Sequence, residues 1–404
     1  MYVKLYRCLA IVAAGLALIF LLTPPLARAD GGAPNLAYVA GAQNGVGIVD
    51  VGQQKMSGTL NIPGDPHMIA LSLDGRFLYA SQPALGRVAV IAAKTGDTIC
   101  TASLPGKPTL VALDPNANVL FAAGNGAASV TSLDPTNCHV KRTFQTSGPV
   151  YGLAVATVAS SLSATSGNQL WVANGDALTV FDDLSGKTLA SVVVPGGPRY
   201  VTAPQGATIY VNTQQGGVFA VDLNSHKVTS LISGGAYGPM DYDATTGEVY
   251  VPDEQHNQLI VLSPVNAGIA PPKEPGRVIA LNAHPRSIAI TNDGQLGFVA
   301  LEGGNVAMLD IPGRQVIATV KVGGDPQFII TGVYPPAIGT TPQQASTLGT
   351  IVNIAAYAIV IALLVVPIIL FRRFAKARDT IRDEKETEDA APDVVGEAER
   401  PRLP

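Results

Sequence analysis

Between positions 36 and 333 the apolar residues fall in short alternating runs, each closed by Gly, Pro, Asn or Asp. The segment from Gly64 to Ile99, GDPHMIALSLDGRFLYASQPALGRVAVIAAKTGDTI, shows the unit. An apolar run follows Pro66 and Asp74-Gly75 turns the chain. RFLYAS is a second run, GRVAVI a third, and TGDTIC opens a fourth. Period-two alternation between turn residues predicts β-strands, and helical patterning is almost absent here.

The unit recurs. Pro66, Pro108, Pro149, Pro198, Pro239, Pro285 and Pro326 are spaced by 42, 41, 49, 41, 46 and 41 residues. A strand aromatic (Tyr38, Tyr79, Phe121, Trp171, Tyr210, Tyr250, Phe298) recurs at 41, 42, 50, 39, 40 and 48. A third marker is a strand closed by Asp: VGIVDV (46–51), SVTSLD (129–134), LTVFDD (178–183), GVFAVD (217–222) and NVAMLD (305–310). VAVIAA and LIVLSP keep the strand without the Asp.

Four short strands per unit of this length predict an all-β, seven-bladed propeller of four-stranded antiparallel blades. Alternation sends Ile69 and Leu71 into layers between blades. Asp74-Gly75 and Asp293-Gly294 are expected to be tight turns with positive φ. The first unit begins at its aromatic strand, NLAYVAG (35–41), and the last ends on an extra inner strand, QFIITGV (327–333). Pairing of the two would close the ring and remove its open edge.

RFLYAS, NQLWVAN, ATIYVNT and GEVYVPD, each followed by a Val-x-Val-x-Asp-type strand and a Gly-x-Pro-like restart, resemble the YVTN repeats of bacterial and archaeal surface propellers. The resemblance covers residues 36–333. It implies the propeller fold and a scaffold used for adhesion, ligand binding or catalysis. Phe121 stands where the repeat has Tyr, and SPVNAGIAPPKEPG (263–276) lengthens one strand connection.

Two segments stand outside the repeats. Residues 1–29 carry Lys4 and Arg7, an apolar run from Cys8 to Leu22, and Ala27-Arg28-Ala29, the signature of a secretory signal. Ile351 to Phe371 is 21 residues without a charge, followed by RRFAKAR (372–378). Such a run predicts one C-terminal transmembrane helix with its basic end in the cytoplasm. The expected organisation is therefore signal 1–29, propeller 30–333, stalk 334–349, membrane helix 350–371 and a disordered tail 372–404. The propeller would lie on the cell surface or in the periplasm, with the membrane as one partner.

Charge and cysteines narrow the classes further. Residues 30–350 hold 15 Lys or Arg against 21 Asp or Glu with no basic run, so nucleic acid is not an expected partner. Cys100 and Cys138 remain once the signal is removed. An even pair in an oxidising compartment can form a disulfide or stay as two half-buried thiols. No metal is expected, because no His-x-x-x-His, Cys-x-x-Cys or calcium-loop spacing occurs. No cofactor is expected either, since Cys-x-x-Cys-His is absent.

Candidate chemistry gathers at one end of the predicted channel. The residues after the seven prolines are His67, Thr109, Val150, Arg199, Met240, Arg286 and Gln327. Loops on the same face add Asn44, Gln214, Asp253, Glu254 and His256. One reading is an anionic or sugar-like ligand held by Arg199, Arg286 and His67, in a receptor or adhesion module for a small ligand, a polymer or a surface protein. A second is a solvated mouth whose arginines pair with Asp65 or Asp325. The resemblance adds a lactonase-like hydrolase using His67, Arg199, Arg286 and Glu254, although their spacing matches no motif. A purely structural surface component is the fourth.

Overall fold

A computed structural model describes residues 36–114, 118–125, 127–157, 168–266 and 277–335. All lie in the first of two units, Met1–Ile338. The expected signal, membrane helix and tail, and all of the stalk but Tyr334 and Pro335, fall outside the described residues. Among those described, no helix is long and apolar enough to cross a membrane.

Among the described residues, twenty-eight strands form seven four-stranded sheets, the blades of a propeller. Blade I is composite, in the order Phe328–Gly332, Leu36–Ala42, Gly45–Asp50, Lys55–Asn61. Blades II to VII occupy 69–103, 107–145, 150–193, 198–233, 241–280 and 285–321. Within them the pairing follows the chain from the inner to the outer strand and is antiparallel throughout. Blade VI has the shortest inner strand, Asp241–Tyr242, and its outer strand, Arg277–Ala280, follows the long connection read from the sequence.

The burial pattern explains the strand sequences. Second strands are covered on both faces by neighbouring blades, so Leu36–Ala42 is almost wholly buried and reads as continuous apolar chain. Outer strands cover one face only, so Thr98–Ser103 is mostly exposed, with a single buried residue, Ala102. The seven marker aromatics all sit on second strands at 3% exposure or less, and fill the layers between blades. One layer gains edge-on ring contacts, Phe144 with Phe121 at 5.8 Å and with Phe181 at 5.3 Å.

Three local expectations can be placed. Gly75 and Gly294 have φ of 70° and 65°, each closing a turn in which the chain passes from inner to second strand. A Cβ at Gly294 would meet the Asp243 carboxylate of the adjacent blade at 2.3 Å, so both space and dihedral require glycine. The ring closes as a shared blade: Leu36 pairs with Gly332, Tyr38 with Ile330 and Ala40 with Phe328. Cys100, on the outer strand of blade II, is bonded to Cys138 of blade III, with Cα atoms 5.8 Å apart. Cys138 lies in the turn ahead of the outer strand Val140–Gln145 rather than on that strand.

Both ends of the described chain leave by one face. Leu36 and Gly332 are partners there, and beyond them Tyr334 donates its hydroxyl to the Asp50 carboxylate. The inner strands begin at the opposite face, called the mouth below.

Candidate functional site

The mouth is built from the loops that enter each inner strand and those that join second to third strands. Its residues form three groups.

The first group lines a cleft of about 760 Å³ between blades I and II. The loop Gly41–Gly45 forms one wall, with Asn61 to His67 and Gly324 to Gln327 around it. The walls are pinned from behind. Gln82, fully buried, donates to the Pro63 carbonyl at 2.8 Å and accepts from Arg87 at 2.6 Å. The Asp325 amide donates to the Gly41 carbonyl at 2.8 Å. Asn44, Asp65 and Asp325 are exposed to the cleft, and Gln327 donates to the Asp325 carboxylate at 2.6 Å. None of the lining residues is Lys or Arg. The two Gly-Asp-Pro sequences of the chain, 64–66 and 324–326, both line this cleft, and the other five inner strands have no Asp before their proline. His67 closes the inner end. Burial and the nearby Arg199 charge push its pKa below the ordinary histidine value against the Thr109 carbonyl, so it is neutral at pH 7. Its buried Nδ1 has no hydrogen-bond partner among the described residues.

Arg199 forms the second group. It is exposed, lies over the Tyr200 ring at 4.9 Å, and makes no ion pair among the described residues. Gln214 is exposed close by, its backbone amide bonded to the Gly197 carbonyl at 2.8 Å.

The third group spans blades VI and VII. Arg286 lies 3.5 Å from Glu254 and 3.6 Å from Glu302. His284 Nδ1 meets the Glu254 carbonyl at 2.6 Å. Asp253, 1% exposed, holds His256 Nδ1 at 2.7 Å and accepts from Gln258 at 3.0 Å. The outer nitrogen of His256 is thereby directed away from a fixed carboxylate, while its side chain stays about half exposed. The Asp253 charge also helps burial to raise the Tyr237 phenol.

The structure does not gather the candidates as the sequence arranged them. Met240 and Val150 are buried in the core at 6% and 1% exposure and present no side chain to a ligand. Met240 packs in the layer with Tyr210, Tyr237 and Val251, and Val150 with Phe121, Phe144 and Leu170. Arg286 pairs with Glu254 and Glu302, not with Asp65 or Asp325, which removes most of its charge from the mouth. Thr109 is half-buried, and its carbonyl accepts from Ser81 at 3.2 Å. Glu302 and His284 were not singled out from the sequence; they follow the same loop logic, and only the blade VI–VII contact brings them to Arg286. No group of three His, Cys, Asp or Glu among the described residues is arranged to hold a metal ion.

No family model matches the chain, and no curated protein matches its sequence. Solved structures match its fold. A putative 6-phosphogluconolactonase from Bacteroides uniformis is 15% identical, with TM-score 0.59 over 73% of this chain and 99% of the other. Hydrazine synthase from Kuenenia stuttgartiensis is 17% identical, with TM-score 0.54 over 69% and 95%. A dihydro-heme d1 dehydrogenase gives 13% identity and TM-score 0.53 over 76% and 77%. Proteins this distant share a fold and need share no activity.

Proposed function

We propose that the chain is an exported, membrane-tethered binding propeller whose mouth takes a hydroxyl-rich, sugar-like ligand in the cleft between blades I and II. The observation that carries this reading is the cleft's chemistry. Amides of Gln43, Asn44, Asn61 and Gln327, carboxylates of Asp65 and Asp325 and a neutral His67 supply donors and acceptors in one concavity, with no cation for an anionic ligand. Arg286 is ion-paired with Glu254 and Glu302, and the exposed mouth cations Arg199 and Lys107 both lie outside the cleft lining. The disulfide supports an oxidising compartment, and both chain ends on the face opposite the mouth suit a tether on that side.

Titration calorimetry of the full-length protein in detergent, with neutral, amino and acidic sugars in parallel, tests the site. Neutral or amino sugars should bind saturably, and Asp65→Asn with Asn44→Ala should weaken them about tenfold or more, as for the loss of one or two hydrogen bonds. Uronic acids binding best and failing in Arg199→Ala would replace this reading with an anion site; no binding by any class would end it. A hydrolase has one observation in its favour, the Asp253–His256 pair. Turnover of a lactone panel that disappears in His256→Ala would establish it.

The tether has its own test. Protease added to intact cells should remove the propeller and spare an epitope in 372–404. Loss of that epitope would reverse the orientation.

A further inference from the structure

The seam between blades III and IV holds two buried carboxyl groups, one of them at a position where three other blades carry a buried apolar residue. In blades II, V and VII the residue after the third strand is Ala93, Leu223 or Ile311, each at 4% exposure or less. Each donates its amide to the carbonyl just ahead of its blade's second strand. Blade IV makes the same bond, from Asp183 to Asn168 at 3.1 Å, so Asp183 sits in that apolar position. It is 4% exposed, and neither carboxyl oxygen has a hydrogen-bond donor among the described residues. Asn168 ties it to Asp114, fully buried at the end of the inner strand of blade III: the Asn168 carbonyl accepts from the Asp183 amide and its side chain donates to the Asp114 carboxylate at 2.7 Å, which brings the two carboxyls together.

We propose that Asp114 and Asp183 share one proton at neutral pH and make the blade III–IV seam a junction that tightens as its surroundings acidify. Two buried carboxylates in contact cannot both ionise at low cost, whereas a carboxylic acid donating to a carboxylate satisfies both. The charges around Asp183 do not relieve it. Asp182, on the same turn, adds repulsion, and the nearby Leu184 amide, which forms no hydrogen bond to either carboxyl oxygen, offsets little of it. Arg142, from the outer strand of blade III, reaches this turn and donates Nη1 to the Ser185 carbonyl, and makes no ion pair with Asp183 among the described residues. Lys187 on the same turn is exposed. Burial, then Asp114, push Asp183 up to about 8.

The sign follows from linkage. The folded protein holds a proton on Asp183 that the unfolded chain releases near pH 4. The stabilising contribution is therefore complete below pH 4 and lost progressively as pH rises to about 8, above which the loss is constant. Melting temperature should be measured on the full-length protein and on Asp183→Asn, from pH 4.5 to 9. The wild type should lose several degrees relative to Asp183→Asn between pH 5 and 8, and the gap should then stay flat. A protonated-carboxyl infrared band should be present in the wild type at pH 7 and absent from Asp183→Asn. The wild-type band is read without the variant, and its loss is scored only on Asp183→Asn that shows a native dichroism spectrum. Parallel melting curves, a missing band, or a rise in wild-type melting temperature on adding Ca²⁺ that Asp183→Asn lacks would each overturn the shared proton, the last in favour of a bound cation.

Discussion

Aspartate in place of Ile329 should cost about 4 kcal/mol or more and leave little folded protein at moderate urea. Ile329 is 1% exposed on the strand Phe328–Gly332 and packs in the layer shared with blade VII, against Ala37, Val39, Ala289 and Phe298. A carboxylate there has no cation to meet and must stay buried or break the strand free; uncompensated buried charges cost about 3–5 kcal/mol. A domain stability of about 5–15 kcal/mol leaves small room for such a loss. Because this strand closes the ring, the damage should reach every blade. Far-ultraviolet dichroism in urea reads the effect, with Gln327→Ala, two residues away at the half-buried mouth, as control. Equal midpoints for the two variants would refute the closing role assigned to this strand.

Removing the bond between Cys100 and Cys138 should cost about 2–4 kcal/mol. Thirty-eight residues separate the two. The chain-entropy account gives about 4 kcal/mol for a loop of that size, an upper figure because the unfolded chain retains some structure. The Cys100→Ser/Cys138→Ser pair should melt several degrees lower than the wild type, and dithiothreitol should lower the wild type to the same temperature. Reductant that leaves the wild-type melting temperature unchanged would show that the bridge contributes nothing. Wild-type protein from its native membrane that reacts with thiol reagents before reduction would show that the bond is not formed there.

The fold was legible because its signal is repeated. One proline or one aromatic says little, but seven of each at matching spacings fix the blade count, and the missing strand at each end gives the closure that Leu36–Ala42 and Phe328–Gly332 make. The mouth was legible as a set of loops and not as a set of contacts. Arg286 reads as a free cation until blades VI and VII bring Glu254 and Glu302 to it, and such pairing depends on side chains from different blades. Met240 follows its proline as His67 does, yet the short inner strand of blade VI turns it into the core. Asp183 was visible within LTVFDD as one Asp too many. Only the three apolar residues that replace it elsewhere make it an oddity.

The shared blade also sets a timetable. Tyr38 donates to the Val333 carbonyl, 295 residues away. A chain that emerges from its N-terminus must therefore carry Leu36–Ala42 with one uncovered edge until the last strand arrives. Long-range pairing of this kind slows folding and leaves an edge open to other chains. The strand made first is the last to be finished, so a chain halted after Lys321 and before Phe328 would have six complete blades and a seventh with an open inner edge.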